Sequence, residues 1–188
     1  MAKLTLKKVS LAMYKSILSK PFNRRIKDTS IIKRVGVLRF KLPYGKEVTF
    51  KDINSKHEAD NKTFLFKGIL NNRFYIILGK YYDTGEYLLV DKYDGNTTSL
   101  WGDPIVSPDG THLAAFSSAL GYDMMPNGVQ MFTIDHNKLV PDWEYKIEDW
   151  EPEALRWVNT NSLIVTKHIP SDLSKTNYEV KEYIKITF

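Results

Sequence analysis

Two tryptophans and six carboxylates crowd residues 141–153, where Trp143 and Trp150 stand among Asp142, Glu144, Glu148, Asp149, Glu151 and Glu153. Paired acids beside aromatic platforms are what glycoside hydrolysis needs, with one carboxyl acting as acid and the other as base or nucleophile. On that reading Trp143, Trp150, Glu148 and Asp149 form a carbohydrate-binding or glycan-active site. Such pairing is spatial, and adjacency along the chain does not establish it. An acidic, solvated loop whose tryptophans bury as core residues accounts for the same composition. The four histidines, His57, His112, His136 and His168, have no spacing that gathers metal ligands on one strand or helix. His57 precedes Glu58 and Asp60, a small oxygen-nitrogen cluster that a polar loop explains more simply. With no cysteine, the chain is excluded from disulfides, thiolate catalysis and Cys-based zinc sites. Nucleophile-elbow, phosphate-loop and His-Glu-x-x-His motifs are absent from the sequence. The sequence therefore leans away from an enzyme and implies no metal and no cofactor.

A second group of residues points to recognition rather than chemistry. The stretch Leu120-Gly-Tyr-Asp-Met-Met-Pro-Asn-Gly128 joins two predicted strands and places Tyr122, Met124 and Met125 where Gly and Asn usually suffice. Tyr81 and Tyr82 stand beside the hairpin signal Asp83-Thr-Gly85. Apolar and aromatic side chains on connections are candidates for a partner-facing patch, or else they fold over an open end of the core. Tyr81, Tyr82, Tyr122, Met124 and Met125 are the expected partner-binding residues.

These residues must be carried by short strands. From Val35 onward the chain reads as β-rich runs separated by Gly, Asn, Asp and Pro, an all-β pattern. The runs Tyr75-Ile-Ile-Leu, Leu113-Ala-Ala-Phe and Leu163-Ile-Val-Thr each follow a turn signal: Asn71-Asn72, Pro108-Asp-Gly110 and Asn159-Thr-Asn161. Their starts are 38 and 50 residues apart. A second set, Tyr87-Leu-Leu-Val-Asp91, Val129-Gln-Met-Phe-Thr-Ile-Asp135 and Val180-Lys-Glu-Tyr-Ile184, recurs at 44 and 50 residues. Antiparallel four-stranded blades recur at about 40–50 residues, so three blade-like units are expected. If they are true repeats, equivalent connections gather on one face.

Within the second unit, Asp103-Pro-Ile-Val-Ser-Pro-Asp-Gly-Thr-His-Leu-Ala-Ala-Phe-Ser-Ser118 resembles the repeat signature of bacterial TolB-type and WD40-like β-propellers. Pro108 presets φ, Asp109 bonds its own backbone and Gly110 accepts positive φ. The resemblance covers about 16 residues. It implies a strand, a tight turn and a buried second strand, and a periplasmic or extracellular docking platform. The chain departs from that family in having too few repeats to close a ring and no intact signal peptide. Partial strands at Val35–Phe40 and Glu47–Phe50, a homo-oligomer, or an open fan or β-sandwich would each supply the missing edge.

The first 41 residues hold 12 Lys/Arg and one acid, Asp28, a balance of +11, against 15 basic and 21 acidic residues, −6, in the remainder. Residues 2–20 lack Gly and Pro and read as a helix of poor amphipathicity, broken at Pro21. This basic arm seeks an anionic partner or docks on the acidic body. Its aromatic interleaving, Tyr14, Phe22 and Phe40, is too sparse to favour nucleic acid. The longest apolar run, Phe74-Tyr-Ile-Ile-Leu-Gly79, falls far short of the ~20 residues of a membrane-spanning helix.

The expected organisation is a basic arm over residues 1–34 and an all-β, blade-like domain over residues 35–188. Its expected function is a non-enzymatic protein-interaction module, inhibitor- or immunity-like in its specific form. Glycan binding through the acidic Trp segment and anionic-surface binding through the arm are the alternatives.

Overall fold

A computed structural model describes residues 4–18, 25–135, 138–169 and 181–188. His136, the break at Pro21 and the start of the run at Val180 lie outside them. The chain opens with β1 (Thr5–Val9) and α1 (Leu11–Leu18). There follow β2 (Arg25–Ile26), β3 (Val37–Lys41), β4 (Glu47–Lys51), β5 (Thr63–Leu70), β6 (Phe74–Lys80), β7 (Gly85–Asp91) and β8 (Thr97–Leu100). The last strands are β9 (Ile105–Val106), β10 (His112–Ser117), β11 (Gly128–Asp135), β12 (Lys138–Lys146), β13 (Glu151–Asn159), β14 (Ser162–His168) and β15 (Glu182–Thr187). The protein is all-β, built of several antiparallel sheets, none closed into a barrel. Among the described residues, no helix is long and apolar enough to cross a membrane.

Two compact units divide the chain, one of residues 24–100 and one of residues 1–23 with 101–188. In the first, β5 to β8 form a meander with β2 added beside β5, and β3 pairs with β4 as a separate hairpin. In the second, β9 to β12 form one four-stranded meander, and β13 to β15 form another whose outer strand is β1.

The turn chemistry falls where its residue types require. Asn71 and Asn72 adopt φ of 51° and 54° between β5 and β6, a tight two-residue turn that Asn tolerates better than other side chains. Between β9 and β10, the Gly110 N–H donates to the Ser107 carbonyl at 3.0 Å, with Gly110 at φ +83°. Asp109 accepts from the Ser107 hydroxyl at 2.6 Å, the Thr111 N–H at 3.1 Å and the Thr111 hydroxyl at 2.7 Å. Burial pushes the Asp109 carboxyl up, but these donors outweigh it and hold it at about 2. Asn159 orders the third turn by accepting from the Asn161 N–H and the Ser162 hydroxyl. Each turn precedes the second strand of its meander, β6, β10 or β14, whose apolar run is almost continuously buried. Solvent reaches the outer strands, so β12 and β4 alternate between half-buried and exposed residues.

Residues 2–20 do not form one helix. Thr5–Val9 pair with β15 from Thr5↔Thr187 to Val9↔Tyr183, and only then does α1 begin. An unpaired β15 edge offers a full ladder of backbone partners, and tertiary pairing overrides weak local helix propensity. Ser10 starts the helix, its hydroxyl accepting from the Met13 N–H at 3.3 Å. Tyr14 then stacks on Tyr183 with ring centroids 4.3 Å apart. Lys8 pairs with Glu182 on β15, so part of the arm's charge is met within the fold.

Ala114, Met131, Trp150, Leu155, Leu163 and Ile186 lie at the centre of one core. The other unit has its own core around Leu38, Phe40, Ile69, Tyr75, Ile77 and Val90.

Candidate functional site

The connection from β10 to β11 is built from two tight turns. Tyr122 N–H donates to the Ala119 carbonyl at 3.0 Å, with Gly121 at φ +74°, and Met125 N–H donates to the Tyr122 carbonyl at 3.4 Å. Both ends are pinned. At one, Ser118 donates to the Pro152 carbonyl and Leu120 N–H donates to Glu151 Oε1 at 2.9 Å. At the other, the Asn127 side chain, 8% exposed, accepts from Ala119 N–H and donates to the carbonyls of Ile147 and Trp150. Gly128 follows at φ +147°, where a Cβ would come within 2.1 Å of the Tyr145 carbonyl oxygen. Only glycine allows this close approach.

On this fixed base the tip stands open. Met124 is 72% exposed and Tyr122 is 44% exposed, while Met125 is half-buried. Beneath them lies a cleft of about 400 Å³ lined by Trp101, Asp123, Met124, Met125, Glu144 and Lys146. The buried Gln130 accepts from Trp101 N–H at 3.3 Å and donates to Glu144 Oε1 at 3.2 Å, linking two of the lining residues. Trp101, Glu144 and Lys146 were not among the expected partner-binding residues. The available signal was Trp101 immediately after a strand, together with Pro126-Asn-Gly128, where a turn motif doubles as an anchor.

In the other unit, Tyr81 and Tyr82 occupy the β6–β7 connection. Tyr81 lies half-buried, its hydroxyl donating to Glu86 Oε2 at 2.7 Å and its ring 5.3 Å from Lys62 Nζ. Burial first, and the Glu86 carboxylate second, push its phenol up to about 12. Tyr82 is exposed. Tyr81 thus serves its own sheet, and Tyr82 alone of this pair presents its ring to solvent.

Trp150 is 4% exposed in the core, and its backbone carbonyl receives Asn127. Trp143 packs half-buried against Phe188 with ring centroids 5.6 Å apart. Glu148 and Asp149 remain exposed. The segment thus separates its solvated acids from a buried Trp150 ring that offers no sugar-stacking face. A smaller cleft of about 270 Å³ is lined by Ser118, Glu151, Glu153 and His168. There the Ser118 hydroxyl is directed at Pro152, and His168 Nδ1 sits 3.4 Å from Glu151 Oε2. His112 packs on Phe188 at 5.5 Å, and His57 is exposed. Among the described residues, no three His, Asp or Glu side chains are grouped to hold a metal ion. The chain matches no protein-family model, no curated protein and no solved structure.

Proposed function

We propose that this chain is a non-enzymatic protein-interaction module of propeller-like blades whose β10–β11 connection meets the partner. The observation that carries the reading is the pairing of an exposed apolar tip, Tyr122 and Met124, with a base immobilised by Asn127 and Glu151. A preordered loop binds without the entropic cost of ordering it, and exposed apolar anchors beside a cleft supply the desolvation energy of recognition. The blade reading is supported by three meanders with turns at equivalent places. A further support is β1, a strand from the chain's start that completes the last sheet.

The test replaces Met124 with a photo-crosslinking methionine analogue and identifies what it captures under native conditions. A protein that is captured by the intact chain and by Tyr82→Ser, and lost with Tyr122→Ser, which keeps the probe at position 124, supports the reading. Identical capture by the loop variant overturns it. Self-capture, with a mass that rises with concentration in sedimentation velocity, assigns the face to a homo-oligomer.

A further inference from the structure

The unit of residues 24–100 holds a cavity of about 500 Å³ that the interaction reading does not use. It lies between the connection that follows β2 and the strand β5. Its floor is apolar, formed by Leu38 with the half-buried Ile31, Phe64 and Phe66. Its rim is basic, carrying Lys27, Lys33 and Lys67 with one acid, Asp28.

Three features make this a built site. Asp52 ties the rim together, accepting from Lys33 Nζ at 2.5 Å and from Phe64 N–H at 2.8 Å, so Lys33 is neutralised in place. Asp28 closes its own turn by accepting from the Ser30 N–H at 2.9 Å and the Ser30 hydroxyl at 2.6 Å. The third feature is a β-bulge. Phe66 pairs with Ile77 and Gly68 with Ile76, leaving Lys67 as the extra residue. Phe64, Leu65, Phe66, Lys67 and Gly68 all line the cavity, so this stretch of β5, bulge included, forms one of its walls. Gly68 allows that bulge at φ +128°, where a Cβ would come within 2.8 Å of the Ile26 carbonyl oxygen. Among the described residues, neither Lys27 nor Lys67 has an acid partner.

We propose that this cavity binds a carboxylate-headed amphiphile, its hydrocarbon chain against Ile31, Phe64 and Phe66 and its carboxylate between Lys27 and Lys67. The volume lies in the range of small-molecule sites, which are mostly apolar with a few placed polar groups. An apolar body is recognised by the floor, and the anionic head is selected by the two lysines left without partners. A free amphiphile and an anionic lipid in a bilayer share this chemistry, and the measurement separates them.

The intact isotopically labelled chain is titrated with decanoate, with decyltrimethylammonium and with acetate, following backbone amide resonances. Expected are saturable shifts confined to residues 27–33 and 64–68 with decanoate, at least tenfold weaker binding of the cationic amphiphile, and none with acetate. Lys27→Glu/Lys67→Glu should weaken decanoate at least tenfold, and Asp28→Asn should tighten it a few-fold. Lys27→Gln/Lys67→Gln repeats the test if the charge reversal disturbs the fold. Equal binding of both amphiphiles, an unaltered affinity in the lysine variants, or no saturable shift overturns the proposal. Phosphatidylcholine vesicles containing oleate, whose head is also a carboxylate, form the second arm. Lysine-dependent cosedimentation competed by decanoate identifies the lipid source, and decanoate binding without cosedimentation identifies the free one. Cosedimentation that decanoate does not compete overturns the cavity as the binding site.

Discussion

The side-chain amide of Asn127 donates to the carbonyl of Trp150 at 2.7 Å, joining the foot of the exposed β10–β11 loop to a core residue. The same amide reaches the Ile147 carbonyl at 2.8 Å, and its oxygen accepts from Ala119 N–H at 3.1 Å. Loop position and core packing are therefore one structural property here.

Replacing Asn127 with Ala strands two buried carbonyls and one N–H. The expected cost is about 2–4 kcal/mol, since each unsatisfied buried group costs about 1–3 kcal/mol and part is recovered by water. Urea unfolding followed by tryptophan fluorescence measures it. Met124→Ser, on the exposed tip, should stay within about 0.5 kcal/mol of the parent. A loss below 1 kcal/mol in Asn127→Ala would show that the loop is not anchored there.

Asp109 imposes a pH dependence of definite sign. Its carboxyl is held at about 2 against an ordinary 3.8, so its stabilisation is complete above that ordinary value and disappears as pH falls toward 2. The side chain is exposed, and screening reduces the contribution to the order of 1 kcal/mol. Asp109→Asn should be less stable than the parent by that amount at pH 6 and equal to it near pH 2. A gap that persists at pH 2 would assign the effect to packing instead of ionisation.

Val35 is fully exposed with φ at +47°, in a two-residue turn closed by paired backbone hydrogen bonds of 2.9 Å between Arg34 and Val37. A β-branched residue is strained in the left-handed region, and Asn is favoured there. Val35→Asn should therefore raise stability by about 1 kcal/mol. A higher urea midpoint with unchanged slope is the expected result, and a lower midpoint contradicts the strain.

Removing residues 1–9 takes β1 from its sheet and leaves β15 as an edge. Amide exchange should accelerate across residues 182–187, and stability should fall by about 2 kcal/mol or more as ladder bonds are lost. Unchanged protection of those amides would mean that β1 contributes nothing to the sheet.

Several elements were legible from local chemistry. Asn71-Asn72, Pro108-Asp-Gly110 and Asn159-Thr-Asn161 announced turns, and the apolar runs after them announced β6, β10 and β14. A turn depends on the φ preferences of two or three residues, and a buried strand on the apolarity of a few more. The acidic Trp segment was legible only as composition: its spacing does not reveal that Trp150 turns into the core while Glu148 and Asp149 stay in water.

By itself the sequence determined an all-β chain, its turns, its repeated buried strands and the opposed charges of its two ends. Tertiary structure alone decided that Thr5–Val9 would be a strand against Glu182–Thr187, that Asn127 would fasten a loop to Trp150, and that the connection after β2 and the strand β5 would line one cavity. Each of those outcomes joins groups distant in sequence or depends on a strand's pairing partner. Their free energy comes from hydrogen bonds and buried surface that exist only once the chain has brought those groups together.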